Sequence, residues 1–297
     1  MSNTLLTTTA IARAMLANLY NSTIMLPLVF RDYEPEFVPG RGATVNVRKP
    51  ATFTAGDYNG STITIQNATE TSVPVVMNKH IDVSFAVTSR EMTLSIIDFT
   101  EQFLSPAMEA IAQKVDEDIL ALRSDITNLV GDGVGAGAGL GFTTAYTDSD
   151  VLVDARTVLS NEKVPLGRNR QLVVPPSMAG NWLKEDAIKQ VDASGSTDAL
   201  REASLGGRIS GFNPYESNHI SDSIGVGFDP AAFAFVSRPL ALPRGANGSI
   251  ESYRGLAVRV VYDYDMDLKS DVVSIDTLYG VKTMDAHRAV LIDGSGS

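Results

Sequence analysis

The side chains most often used for metal binding and acid–base catalysis are sparse in this chain. Its three histidines, His80, His219 and His287, lie far apart, and no H-x-x-x-H spacing occurs. There is no cysteine, which excludes disulfides and thiolate metal ligands. A G-x-S-x-G nucleophile elbow is also missing. The sequence therefore names no nucleophile–base pair and no metal site, and it predicts a protein that is not an enzyme and has no cofactor.

A glycine-rich run at residues 131–141 fits a loose dinucleotide-binding pattern, Gly131-x-Gly133-x-x-Ala136. The full fingerprint follows a strand and opens a helix, whereas this run follows a predicted helix and consists mainly of Gly and Ala. It also lacks the G-K-[ST] ending of a phosphate loop. Its composition is typical of a flexible linker and predicts a boundary between two subdomains.

Three aspartates near the C-terminus, Asp263-x-Asp265-x-Asp267, resemble the beginning of a calcium loop. The sixth position of that loop is Leu268 instead of Gly, and the twelfth is Ser274 instead of Glu, so the calcium-binding pattern is incomplete. A period of two also fits one face of a strand, and a strand would present all three carboxylates to solvent or to a partner's arginines.

Composition indicates a globular chain: its 297 residues are 44% hydrophobic and 20% charged, enough for one large domain or two modest ones. The net charge of -11 argues against a general nucleic-acid binder, which carries a basic face. Residues 1–6 lack the basic region of a signal peptide, and no window of 18 uncharged apolar residues occurs. We therefore expect a soluble cytosolic product without membrane contact.

Charge is unevenly distributed along the sequence. Residues 1–50 contain five cations and three anions, whereas residues 98–125 contain seven anions and two cations. Ordinary solvated faces explain this pattern, and so does a contact between the basic arm of one copy and an acidic face of another.

The pattern of the first 89 residues predicts two extended arms and not a folded domain. Apolar spacing indicates a helix over residues 7–20, and three prolines make residues 21–43 extended. Residues 41–89 alternate apolar and polar positions around a Gly-containing turn at 55–61, with too little apolar surface for a core of their own. Because a two-stranded arm is marginal alone in water, we expect this one to lie on a neighbouring copy.

The remaining residues alternate helices and strands. Ser105-Pro106 opens a predicted helix over 105–125, with Asp116, Glu117 and Asp118 pointing away from its apolar face. After the glycine run we expect a helix around 151–159, a buried strand at 171–174, a helix from Ser177 and short strands over 206–240. Strict alternation predicts a 13-residue strand at 256–268, and further strands are expected at 272–275, 278–281 and 289–292, with a turn before the last.

Three local sequences resemble segments of a known family: residues 103–107 (FLSPA) leading into Ile111-Ala112-x-x-Val115-Asp116, residues 205–217 (LGGRISGFNPYES), and Tyr279-Gly280-Val281 followed by Ala289-Val290. Together with the order of the parts, they resemble the major capsid (coat) protein of tailed bacteriophages, especially short-tailed enterobacterial phages. That resemblance implies the α+β fold of bacteriophage Hong Kong 97-type capsids. It places an N-terminal arm at 1–40, an E-loop at 41–89, a P-domain with its spine helix at 90–130 and 251–297, and an A-domain at 131–250.

The same resemblance implies a protein that self-assembles through hexamers and pentamers into an icosahedral shell around phage double-stranded DNA. Its implied partners are a separate scaffolding protein, a portal, packaged DNA bound without sequence specificity and, optionally, a decoration protein. The resemblance also implies that the protein is part of the virion and that it assembles in the host bacterial cytoplasm. An encapsulin-like nanocompartment shell shares this fold, and a β-rich binding protein or an enzyme is the third alternative. Candidate subunit-interface residues are Arg41, Arg48, Lys49, Asp57, Tyr58, Lys79, Asp116, Glu117, Asp263, Asp265 and Asp267.

Overall fold

The structure, a computed structural model, describes residues 23–31, 44–49, 53, 55, 57, 65, 71–88, 105–131, 142, 144–166, 169–189, 205, 207–220, 222–243, 245, 247–253, 256–267 and 269–294. The predicted helix at 7–20 and nearly all of the glycine run lie outside these residues. Within them the chain mixes helices and strands, as an α+β fold requires.

The strands are β1 (Thr44–Lys49), β2 (Thr71–Val76), β3 (Lys79–Thr88), β4 (Leu129–Gly131), β5 (Arg170–Val174), β6 (Phe212–Glu216), β7 (Ile224–Phe228), β8 (Phe233–Arg238), β9 (Asn247–Tyr253), β10 (Leu256–Asp265), β11 (Ser270–Thr283) and β12 (Ala289–Asp293). The helices are α1 (Ser105–Leu120), α2 (Val151–Asn161), α3 (Pro176–Trp182) and α4 (Asp186–Lys189). The predicted helix over 105–125 has this extent, but its last turn, Ala121–Asp125, is a 3-10 helix.

The first sheet is organised around β11. Its strand order is β3-β11-β10-β9, and β8 also pairs with β11. Residues 270–279 of β11 pair with β3, while 270–276 pair with β10 and 278–283 pair with β8. Because residues 278 and 279 pair with both β3 and β8, β8 continues the edge that β10 occupies. The separate strands predicted at 272–275 and 278–281 are therefore one 14-residue strand.

Helix α1 covers this sheet with its apolar face. The spacing of three and four residues that predicts an amphipathic helix puts Met108, Ile111, Val115 and Ile119 on one side, and all four are buried. They share a core with residues of β10 and β11, and with a 3-10 turn at Leu26–Leu28. This is the larger core of the molecule; its sheet-side members include Val258, Val260, Val273, Ile275 and Tyr279.

The second sheet, in the order β4-β12-β7-β5-β6, is mixed. β12 is parallel to β4 and β5 is parallel to β6, whereas β7 runs antiparallel to both of its neighbours. Helices α2 and α3 pack against it in a separate core together with Leu172 and Val174 of β5. β5 is buried at every position, and its Val173 faces the first core. Trp182 lies in this core, and its indole N–H donates a 2.9 Å hydrogen bond to the carbonyl of Tyr146.

The third unit is the hairpin of β1 and β2, paired from Thr44–Val76 to Lys49–Thr71. Its inward side chains are buried against Ala234, Val236 and Met284 of the same chain, and they are Val45, Val47, Val75 and Met77. The base of the hairpin therefore lies on its own subunit and not on a neighbouring copy, whereas the contact expected for the rest of the arm stays a prediction. β3, which the sequence groups with the arm, instead pairs along the first sheet.

A close backbone contact fixes the hairpin on the first sheet. A Cβ atom built on Gly280 of β11 would lie 2.3 Å from the carbonyl oxygen of Val76 and 3.1 Å from Cα of Met77. Only glycine leaves room for main chain at this distance.

We expect Gly280→Ala to lower the free energy of unfolding by about 1–3 kcal/mol, because the added methyl group must push β2 away from β11. Urea unfolding of the unassembled chain measures this. Gly180→Ala is the matched control, since Gly180 lies in α3 with open space around it, and alanine there should be neutral or stabilising by about 0.5–1 kcal/mol. Equal stabilities of the two variants would contradict the close contact.

Candidate assembly surfaces

The candidate residues of the hairpin arm are only partly described. Arg41 and Tyr58 lie outside the described residues. Arg48 and Lys49 are the last two residues of β1, opposite Ser72 and Thr71. Asp57 is exposed. Their assignment to a subunit interface stays a prediction.

Large apolar side chains are exposed in the segment between β1 and β2. Phe53 is 65% exposed and Ile65 is 88% exposed, although the hairpin from which they extend is anchored on its own subunit. Scattered apolar residues are ordinary on a protein surface. Here they lie on an element that the sequence predicts to contact another copy.

The turn between β10 and β11 is the second place where large apolar side chains are exposed. β10 ends at Asp265, so the predicted strand to 268 is three residues too long. Met266 in the turn is 80% exposed, and Tyr264 is 49% exposed. The even positions that are buried at the beginning of β10 therefore emerge from the core at its end.

The three aspartates predicted to share one face of a strand are divided between β10 and the turn. Asp263 and Asp265 lie on β10, but Asp267 belongs to the turn, where its N–H donates a 2.8 Å hydrogen bond to Oδ1 of Asp265. The N–H of Tyr264 donates to Oδ1 of Asp263 at 2.9 Å. No group of three or more acidic or histidine side chains suited to a metal ion occurs in the part of the chain that the structure describes.

Asp116 is buried, and the prediction that it points away from the apolar face of α1 is wrong. Its carboxylate accepts the N–H of Ile24 at 2.7 Å and the N–H of Met25 at 3.0 Å. Met25 and Leu26 are themselves fully buried. Asp116 therefore holds the N-terminal segment 23–31 on α1 within one subunit, a role that charge pattern alone did not indicate.

The neighbouring acidic residues also bind their own chain. Asp118 is buried and accepts hydrogen bonds from the hydroxyl of Tyr279 at 2.8 Å and from Lys79 Nζ at 3.3 Å. Burial, followed by this hydrogen bond, raises the pKa of Tyr279. Glu117 is exposed and pairs with Lys114 Nζ at 3.3 Å. The predicted interface residues Lys79 and Glu117 thus have partners in their own subunit.

A half-buried ion pair crosses the middle of the first sheet and was not predicted. Arg259 of β10 lies opposite Asp276 of β11, and its guanidinium makes a bidentate contact with that carboxylate, with Nε to Oδ1 at 2.9 Å. His80 Nε2 lies 3.3 Å from the other oxygen of Asp276. Hydrogen bonding to Asp276 raises the pKa of Arg259. The alternation that marks β10 as a strand gives no sign of a buried carboxylate on β11.

The titration of Asp116 is testable. Burial raises its pKa to about 6, although the N–H donors and His219 act in the opposite direction. The folded chain therefore binds this proton more tightly than the unfolded chain. The contribution of Asp116 to the free energy of unfolding therefore rises as the pH falls from about 6 towards 4. We expect the free energy of unfolding of the wild type, minus that of Asp116→Asn, to increase by about 2–3 kcal/mol from pH 7 to pH 4.

Urea unfolding at several pH values measures this difference. Glu117→Gln, an exposed site on the same helix, is the control and should leave the pH dependence unchanged. A wild-type curve parallel to that of Asp116→Asn would show that the carboxylate does not titrate in this range.

Comparison with known proteins identifies the architecture. Residues 89–290 match a family model described as phage capsid protein. A solved structure from Mycobacterium phage Che8 is 22% identical with a TM-score of 0.66, over 93% of this chain and 92% of that chain. The capsid structure of the cyanophage P-SCSP1u is 12% identical with a TM-score of 0.62, over 86% and 84%.

A virus-like particle from Pyrococcus furiosus is 11% identical with a TM-score of 0.53, over 95% of this chain and 97% of that chain. At these identities the structural likenesses show the fold alone. No curated protein sequence is significantly similar. None of the described helices is both long and apolar enough to cross a membrane. The family match covers more than half of the chain, and so the chain belongs to the phage capsid protein family and is a major capsid shell protein with the tailed-phage capsid fold.

Proposed function

We propose that the hairpin arm, defined here as residues 44–76, extends from its own subunit across a neighbouring copy in the shell. The observation that carries this proposal is the exposure of Phe53 and Ile65 on an arm whose base is fixed by buried contacts. An isolated chain gains nothing by exposing these side chains to water. A neighbour that covers them gains about 1.5–3 kcal/mol for each fully buried side chain.

Backbone hydrogen bonding supports the same contact. Among the described strands β1 and β2 pair only with each other, so each has an outer edge of N–H and C=O groups without a strand beside it. Such edges are templates for strand addition by another chain. Pro74 lies within β2, and proline in a sheet is confined to edge strands and bulges because it cannot donate to a ladder.

The turn between β10 and β11 provides a second contact of different chemistry. Met266 and Tyr264 offer apolar surface, and the carboxylates of Asp263 and Asp267 beside them are exposed. This combination suits a neighbour that presents an arginine or lysine beside an apolar patch. Many such contacts, each modest, become strong when closed symmetry makes them act together.

The assembled object in this proposal is an icosahedral shell of hexamers and pentamers that encloses the phage's double-stranded DNA. A chain with a net charge of -11 repels the DNA backbone and so contains it without gripping it. Assembly takes place in the host bacterial cytoplasm, with a separate scaffolding protein and a portal as partners and a decoration protein as an optional one.

A nanocompartment shell is the second candidate, and the likeness to the Pyrococcus furiosus virus-like particle is the observation that favours it. The two functions differ in what the particle contains. Nuclease-protected double-stranded DNA inside particles isolated from infected or induced cells supports the phage shell, whereas an enclosed enzyme without DNA supports the compartment.

We expect the double variant Phe53→Ser and Ile65→Ser to fold normally but to lose assembly. Its free energy of unfolding should stay within about 0.5 kcal/mol of the wild type, because both side chains are exposed in the free subunit. The yield of shells should fall at least about tenfold, since each 1.4 kcal/mol of contact energy is worth a factor of about ten. Sedimentation and negative-stain microscopy of the expressed protein measure the yield.

Val153→Ser is the matched control, because Val153 is an exposed apolar residue on α2, away from the hairpin arm. It should assemble like the wild type. Normal shells from the double variant would refute the proposed role of the arm.

A further inference from the structure

Three arginines from separate elements line one cavity beside the second sheet. Arg156 lies on α2, Arg170 begins β5, and Arg208 precedes the turn at Ser210 and Gly211. The cavity has a volume of about 400 Å³, which falls in the usual range for ligand sites. Among the described residues that line it there is no carboxylate, and Leu166, Ser210 and Gly211 complete its wall.

Arg170 is the unusual member of this group because it is only 1% exposed. Its two terminal nitrogens donate to main-chain carbonyls, at 2.7 Å to Val164 and at 3.3 Å to Arg156. Its Nε–H has no hydrogen-bond acceptor within the described residues. A buried guanidinium with an unused donor is costly, and its orphan group calls for an explanation such as a missing ion.

The electrostatics of the cavity point the same way. Burial lowers the pKa of Arg170, and the charges of Arg156 and Arg208 lower it further, while the carboxylate of Asp229 partly opposes them. Asp229 is itself fully buried, accepts the N–H of Ala231 and lies 3.8 Å from Arg288. The described lining of the cavity carries three guanidinium groups, and a cavity lined by cations attracts anions.

Local backbone structure places the other two guanidinium groups at the same point. Ile209 and Phe212 exchange both of their main-chain hydrogen bonds across Ser210 and Gly211, which have φ values of 46° and 92°. Two consecutive positive φ angles are typical of a type I′ hairpin turn.

This tight turn holds Arg208 in place, since Arg208 Nε donates to the carbonyl of Gly211 at 3.1 Å. It also lies against Arg156, whose Cδ and Nε are 3.7 Å from the position of a Cβ on Gly211.

We propose that this cavity is an oxyanion site for a phosphate group, bound by the guanidinium groups of Arg156, Arg170 and Arg208. Guanidinium forks match the oxygens of phosphate and carboxylate alike. Phosphate is favoured because it carries more negative charge than one carboxylate and is therefore attracted more strongly to a cavity lined by guanidinium groups. The phosphate comes either from a free phosphate or polyphosphate, or from the backbone of nucleic acid, and the two sources present the same chemistry to the cavity.

Calorimetric titration of the full-length chain tests the site, with inorganic phosphate, pyrophosphate and a 20-base-pair duplex as probes at constant ionic strength. We expect saturable binding at one site per chain. Arg156→Gln and Arg208→Gln should each weaken it at least about tenfold, because each removes a charge-assisted pair of hydrogen bonds. Both side chains are exposed, so these variants avoid the folding defect expected from Arg170→Gln.

Lys184→Gln is the charge control, because it removes one exposed cation elsewhere in the same part of the chain and should leave binding unchanged. Binding of phosphate or pyrophosphate that depends on Arg156 supports a free-phosphate source. Binding of the duplex alone, again weakened by Arg156→Gln and not by Lys184→Gln, supports a nucleic-acid source.

The proposal is overturned if none of the three probes saturates, or if the arginine variants and Lys184→Gln bind equally. It is also overturned if Arg156→Gln prevents shell assembly while no probe binds the wild type. That result would assign the cavity to a carboxylate of a second copy. Because the titrations use unassembled chain, they remain informative whether or not the hairpin arm mediates assembly.

Discussion

The backbone of strand β11 needs hydrogen-bond partners along both of its edges, and much of the molecule is arranged to provide them. β3 occupies one edge, while β10 and then β8 occupy the other. The same strand supplies Asp276 to the half-buried ion pair with Arg259, and Tyr279 to the carboxylate of Asp118 on α1. Since α1 in turn binds residues 24 and 25 through Asp116, one chain of contacts joins the N-terminal segment, the long helix and the first sheet. The hairpin arm rests on this assembly through Gly280.

Much of this architecture could be predicted from periodicity. The spacing of Ile111, Val115 and Ile119 predicted α1, and strict alternation from Leu256 predicted β10, because each pattern matches a burial requirement that the element meets locally. The length of β11 was missed because its middle carries Asp276 and Thr277, polar residues that a local pattern reads as a break. Both are buried, and their partners lie on β10 at Arg259 and Ala257.

Surface assignments were harder to predict because they depend on contacts between residues that lie far apart in the sequence. The acidic residues of α1 suggest a face for a neighbour, yet two of the three are buried within the subunit. The donors of Asp116 are backbone N–H groups about ninety residues away, and no side-chain pattern announces them. The arginine cavity is invisible for the same reason, since Arg156, Arg170 and Arg208 share no motif and meet only through the fold. The exposure of Met266 follows from the end of β10, a boundary that alternation overran.

The placement of Trp182 gives the chain a built-in optical probe. It is the only tryptophan of the sequence, it is fully buried among α2, α3 and the second sheet, and its indole is hydrogen-bonded. Its fluorescence therefore reports the environment of that one core. The first core instead contains phenylalanine and tyrosine, including the ring contact of Phe235 with Tyr279. Tryptophan emission follows the second core, whereas far-ultraviolet circular dichroism follows the secondary structure of the whole chain. A difference between the two transitions therefore separates the loosening of one half of the subunit from that of the other.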